Sequence, residues 1–195
     1  MDGFERRKEQ KKESIRRAAL ELYQTFGFKK VSVSDIARRA GVSQVTIYNH
    51  FASKEALIRD VLKWYMRQLF DKYESVMNSK LTFQEKLENI VFDKTQVVSQ
   101  FQGELQQAVL QNDPELRAFL EDMYLNHMMP VIVAFLKEGS QQGYIDPRFS
   151  VDTILFYFEV LRRGFFAISD TSEYTKRDPD LDKELIELVT YGLNG

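Results

Sequence analysis

Cysteine is absent from the 195 residues. That excludes disulfide scaffolds, thiolate zinc sites, iron–sulfur clusters and cysteine nucleophiles. Histidine is nearly absent: His50 and His127 are the only two, which excludes a histidine-rich metal site. Four prolines and nine glycines are too few for a turn-dense all-β fold and favour helices. Long apolar runs are missing as well. The longest, Met128–Leu136, is interrupted by Pro130 and falls far short of the ~20 residues that span a bilayer. Met1–Lys12 is charged throughout and has no apolar signal-peptide core, so a cytoplasmic location with no membrane partner is expected. No G-x-G-x-x-G, P-loop, G-x-S-x-G or H-E-x-x-H motif occurs. The acidic pair Asp180/Asp182 sits at a helix start, where the helix dipole alone favours it. No catalytic residue, cofactor or metal is expected, and the chain is not read as an enzyme.

The residues that are present describe an ordinary globular chain. Hydrophobic residues make up 44% and charged residues 29%, which excludes wholesale disorder. The net charge of −2 conceals an asymmetry. Residues 1–65 carry fourteen Lys/Arg against eight Asp/Glu; the remainder carries thirteen against twenty-one. A basic first third on an acidic body suits a polyanion bound at one end, or is chance clustering of solvated charge.

Helical spacing runs throughout. Ile15, Ala18, Ala19, Leu22, Tyr23 and Phe26 form one face, and Gly27 follows where positive φ costs nothing. Ser32 with Asp35 predicts a capping box opening a second helix that Gly41 ends. Ser43 caps a third helix, Gln44 to about His50; Ser53 caps a fourth running to about Met77. Thr82 with Glu85 opens a helix to about Ser99, and a shorter helix is expected over Glu104–Leu110. Asp113-Pro114 starts a long helix toward Gln141 that Pro130 should kink or interrupt. Ser150 opens an apolar helix ending near Ser169, and Asp178-Pro179 starts the last, to about Leu193. The fold class is all-α, with about nine helices and no strand.

Ser32–Phe51 reads as a helix-turn-helix. Ala37 is small where helices cross, Gly41 supplies the turn, and Ile36, Val42 and Ile47 fill the space against the first helix. The exposed face of the second motif helix would hold Gln44, Thr46, Tyr48, Asn49 and His50, with no acid to repel phosphate. Tyr48 is either a phosphate contact or a core aromatic, and for His50 a phosphate contact and a purely structural role both stay open.

Here the chain resembles the TetR (tetracycline-repressor) family of bacterial transcription regulators. The resemblance rests on I-x-x-A-A-x-x-L-Y-x-x-x-G-F at Ile15–Phe28 and V-S-V-S-D-I-A-R-R-A-G-V-S-Q-V-T-I-Y-N-H-F-A-S-K-E-A-L at Val31–Leu57. Val45 stands where the family often has glycine. The resemblance implies a three-helix DNA-binding domain over residues 1–52, with its motif at about 32–51, and an effector-binding and dimerisation domain over 53–195. It implies a homodimer on a palindromic duplex operator. Gln44 and Thr46 would face base edges, with Asn49 joining them, and Val45 would meet a thymine methyl. Tyr48, His50 and Lys54 would hold phosphates, as would Ser32 and Ser34; Ser43 caps the reading helix beside them. The run Arg6, Arg7, Lys8, Lys11, Lys12 would add nonspecific affinity or enter a minor groove, or else be a frayed, solvated end.

The resemblance implies that the rest of the chain takes up a small effector, and that the protein is a repressor released from its operator when that effector binds. Trp64, Tyr65, Phe92, Phe101, Tyr124, His127, Met128 and Phe158 are candidates to line an apolar or aromatic effector site, against core packing as the plainer role. The family's dimer seam would fall on Ser150–Ser169 and Asp180–Leu193, through Phe156, Val160, Arg163, Leu185 and Leu188. The competing reading is an all-helical small-molecule carrier or enzyme with a basic N-terminal bundle.

Overall fold

The computed structural model describes residues 3–89 and 113–169. Everything regular in them is helical. The helices are α1 (Gly3–Phe26), α2 (Val33–Ala40), α3 (Gln44–His50), α4 (Lys54–Met77), α5 (83–89), α6 (Pro114–Asp122), α7 (Met129–Gln141) and α8 (Val151–Ser169). A π-helical turn, Met123–Met128, joins α6 to α7. The segment Glu104–Leu110, the helix after Asp178-Pro179, and Phe92, Phe101, Leu185 and Leu188 lie outside the described residues.

The described residues divide into two compact units, one ending at Leu69 and the other beginning at Phe70, so the division falls inside α4. The first unit is built on caps. Gly27, at φ 80°, ends α1. The Ser32 hydroxyl accepts from the Asp35 N–H at 3.2 Å, and the Asp35 carboxylate accepts from the Ser32 N–H at 3.1 Å. Gly41 closes α2 at φ 66°, a left-handed conformation that costs glycine least. Each capping hydroxyl contributes about 1 kcal/mol. Between the caps Ile15, Ala19, Tyr23, Ile36, Ile47, Leu57 and Val61 are sealed from solvent. Val42, expected among them, is half-buried.

An ion-pair network joins α1 to α4. The Arg16 guanidinium donates to both oxygens of Asp60, at 2.5 and 3.3 Å, and also to Glu9. Lys12 Nζ lies 3.2 Å from the same Asp60 carboxylate. Burial works against ionisation of Asp60, but Arg16 and then Lys12 outweigh it and hold the carboxyl below its ordinary value. Residues 3–11 are helical and exposed, so the N-terminal basic run continues α1 into solvent.

The second unit packs around Phe83. Its ring stacks on Phe135 at 4.4 Å and on Tyr144 at 5.1 Å, and it fills the space where a side chain at Gly139 would stand. Lys86, almost wholly buried, donates to both oxygens of Glu138, at 2.7 and 2.9 Å, which ties α5 to α7. The helical run containing Pro130 is not broken at this point. Proline has no N–H to give the carbonyl four residues back, and the chain adapts by widening one turn. The Met129 N–H donates to the Tyr124 carbonyl, five residues earlier.

The apolar residues of α8 fall on two sides of the helix, of which one is covered. Ile154 is buried, and Leu155 and Phe158 pack on Phe135 and its neighbours. The opposite side is open in the single chain: Phe156 is 72% exposed and Val160 51%. Tyr157 and Leu161 are exposed beside them. Arg163 is exposed and pairs with Glu159 on its own helix at 2.6 Å.

Candidate nucleic-acid interface

The first unit presents α3 outward. Ile47 alone among its seven residues is buried, and it anchors the helix to the core. Gln44, Val45, Tyr48 and Asn49 are exposed; Thr46 and His50 are partly so. Val45 is 67% exposed and Tyr48 50%. Tyr48 is therefore not a core aromatic. A helix that exposes two large apolar surfaces and two amides, with no acid, presents groups suited to the floor and walls of a major groove.

Local chemistry sets what each hydroxyl can still do. The Ser43 hydroxyl accepts from the Thr46 N–H at 3.0 Å and shares a hydrogen bond with the Thr46 hydroxyl at 2.8 Å. This fixes the Thr46 rotamer at the start of the reading helix. The Ser32 hydroxyl donates to Asp35 while capping α2, so its proton is already committed. The Asp35 carboxyl is held below its ordinary value, chiefly by that hydroxyl. Ser34 is half-buried on α2. Lys54 opens α4, where the Ser53 hydroxyl accepts from the Ala56 N–H at 3.1 Å. Hydrogen bonds from its own N–H and from Ser53 hold the Glu55 carboxyl below its ordinary value.

His50 ends α3, with its ring 6.2 Å from that of Phe51. Partial burial, then Lys8, Lys12 and Lys11, lower its pKa; Glu9 opposes them. Lys12 Nζ lies 5.4 Å from the centre of the Phe51 ring. Thus the first turns of α1 approach the C-terminal end of the reading helix. In the sequence Arg6–Lys12 reads as one basic run. The signal that separates its members is spacing: Lys8, Lys11 and Lys12 precede buried Ile15 by seven, four and three residues, and so share its side of the helix.

The effector candidates are less tightly defined. Trp64 and Tyr65 are half-buried in the first unit, and the Arg17 guanidinium lies 6.0 Å from the Trp64 ring centre. In the second unit Met128 is buried, Tyr124 half-buried and His127 exposed, all three on the π turn. Phe158 packs against the Phe83–Phe135 core. A groove of about 510 Å³ lies elsewhere, between α1 and α2, lined by Leu22, Phe26, Lys30, Val31, Asp35, Arg38 and Arg39.

The family model described as bacterial regulatory proteins, tetR family, matches residues 15–61, which span the last three turns of α1 through the start of α4. The chain is 30% identical over 134 residues to the fatty acid metabolism regulator protein of Bacillus subtilis, covering 66% of this chain and 67% of that one. It is 27% identical to the HTH-type transcriptional repressor KstR2 of Rhodococcus jostii, over 78% of this chain and 80% of that one. Among solved structures it is similar to the transcriptional regulator FadR from Bacillus subtilis in complex with stearoyl-CoA. That match has a TM-score of 0.58 and 26% identity, over 92% of this chain and 97% of that one.

Proposed function

The chain belongs to the tetR family of bacterial regulatory proteins, and from that premise we propose that it is a cytoplasmic repressor which binds a palindromic operator as a homodimer and leaves it when an effector binds. It is a sequence-specific DNA-binding transcription regulator rather than a catalyst. The observation that carries the reading is the α3 ridge, outward-facing, free of acids and held by capped helices on a sealed core. Gln44 and Asn49 read base edges, since an amide can pair with both edge atoms of adenine, each good pair discriminating by about 1–3 kcal/mol. Thr46 and Val45 complete the reading face. Tyr48, His50, Lys54 and Ser34 hold backbone phosphates. Ser32 and Ser43 act first as caps, and reach phosphate only through what capping leaves them.

The effector is a small molecule with a substantial apolar part. The stearoyl-CoA bound to the similar FadR and the fatty acid role of the Bacillus subtilis relative support that class. Tyr124, Met128 and Phe158 are the described side chains of the second unit suited to it. Effector binding favours a state with α4 displaced, which changes the separation of the two reading helices. These must match half-sites about 34–36 Å apart or a multiple. Operator must in turn weaken effector binding by the same factor.

Selection of bound sites from random duplexes, followed by variants, tests the reading. Gln44→Ala should relax preference at one base pair in each half-site. Lys54→Ala should weaken all duplexes alike and lower the salt slope by about one per subunit. If both variants lose affinity uniformly, α3 is not the reading face; if no duplex is retained at low salt, the regulator reading fails.

A further inference from the structure

Two lysines near the reading helix lack a counter-ion. Among the described residues Lys12 is paired with Asp60, whereas Lys8 and Lys11 have no ion-pair partner. Both are exposed on the side of α1 that continues the Ile15 stripe toward the end of α3. On that side Lys12 Nζ lies 5.4 Å from the centre of the Phe51 ring, whose neighbour His50, 6.2 Å away ring to ring, is the last residue of that helix. Glu9 is the one carboxylate of α1 acting on His50, and its oxygen also receives Arg16; Asp60 of α4 is taken by Arg16 and Lys12. Cations gathered without an anion, beside a ridge made for nucleic acid, form a site that is incomplete until an anion arrives.

We propose that Lys8, Lys11 and His50 form a single clamp for a phosphate of the duplex backbone, and that the phosphate is bound together with one proton, which adds to the His50 imidazole. The inference rests on the reading of α3 as the DNA-binding ridge. It also gives the basic run a definite role: two of its members, carried on the first turns of α1, flank a phosphate.

The proton follows from the change in local potential. Without DNA, partial burial and the neighbouring ammonium groups disfavour the imidazolium, and its pKa lies below the ordinary value. A phosphate seated between Lys8, Lys11 and His50 reverses the sign of the field and raises that pKa. A group whose pKa rises on binding makes binding tighter as pH falls from the bound-state value to the free-state value, with no change outside that window. A homodimer carries two such groups, one at each end of the operator.

The test uses the full chain and a duplex recovered by selection. Affinity is measured at constant ionic strength from about pH 5 to 8, the range in which imidazole titrates. The His50 ring resonance is followed with and without duplex, and is assigned by its loss in His50→Gln. Within the window the intact protein should bind up to about tenfold tighter per subunit for each pH unit lowered. His50→Gln should flatten the profile. Lys8→Gln with Lys11→Gln should reduce the salt slope by about two per subunit and raise the free-state pKa of His50. A pH-independent affinity with an unshifted His50 resonance overturns the proposal, and so does a double lysine variant with an unchanged salt slope. In both cases the duplex is still bound, so the regulator reading survives; a protein that retains no duplex at any pH overturns both.

Discussion

α1, α2, α3 and the start of α4 close their apolar faces on one another, while α8 closes only one of its two. In the first unit Ile15, Ile36, Ile47 and Leu57 are sealed within a single chain, and what stays exposed on α3 is a short ridge bearing amides. In the second unit Phe156, Val160, Tyr157 and Leu161 lie open along α8, although Ile154 on the same helix is buried. A contiguous apolar strip of that kind marks a surface for association. On the proposed reading the first unit meets a hydrated polyanion and gains by exposing polar groups, and the second gains by covering apolar ones with a second copy of the chain.

The largest effect should come from the open side of α8. Phe156→Glu with Val160→Glu should convert the dimer to monomer, as read by sedimentation. Operator affinity should fall toward that of a single half-site, while the helical content of each chain is kept. A dimer that persists would place the seam elsewhere. Next is Leu57→Ala in the closed core, which should lower stability by about 3 kcal/mol through lost burial and the cavity left behind. Denaturant unfolding followed at a first-unit probe should show it; a loss under 1 kcal/mol would mean that this core relaxes more readily than its burial implies.

The smallest effect concerns the α1–α4 clamp. Asp60→Asn leaves the Arg16 guanidinium, only 11% exposed, with Glu9 as its remaining charged partner and should cost about 1–2 kcal/mol at neutral pH. Because the Asp60 carboxyl is held below its ordinary value, its contribution is complete above the unfolded-state pKa of about 4 and is lost as pH falls through the folded-state value. Stability of the intact protein should therefore decline more steeply than that of Asp60→Asn as pH drops below about 4. Parallel acid profiles would show the pair to be energetically silent.

Local chemistry made the reading unit legible. Ser32 with Asp35, Gly41, Ser43 and Ser53 each satisfy or end a helix through neighbours one to three residues away, so their roles are visible before any tertiary contact exists. The same holds for Thr82 with Glu85, and for Asp113 before Pro114. The response to Pro130 was legible only as a disturbance. Whether a helix kinks, breaks or widens into a π turn depends on what packs around Met123 and Met128, both buried. The effector residues were the least legible, because an aromatic at helical spacing looks the same whether it fills core or lines a cavity.

The order of side chains along the chain by itself determined where helices begin and end, which side of each is apolar, and that α3 carries no acid. Those properties depend on spacing and on hydrogen bonds between near neighbours. Only the tertiary structure decided that Lys12 of α1 reaches the Phe51 ring next to His50, that Arg16 grips Asp60 across 44 residues, and that Lys86 is buried on Glu138. Charges distant in sequence meet only when helices pack, and the packing geometry is set by the shapes of all the side chains between them.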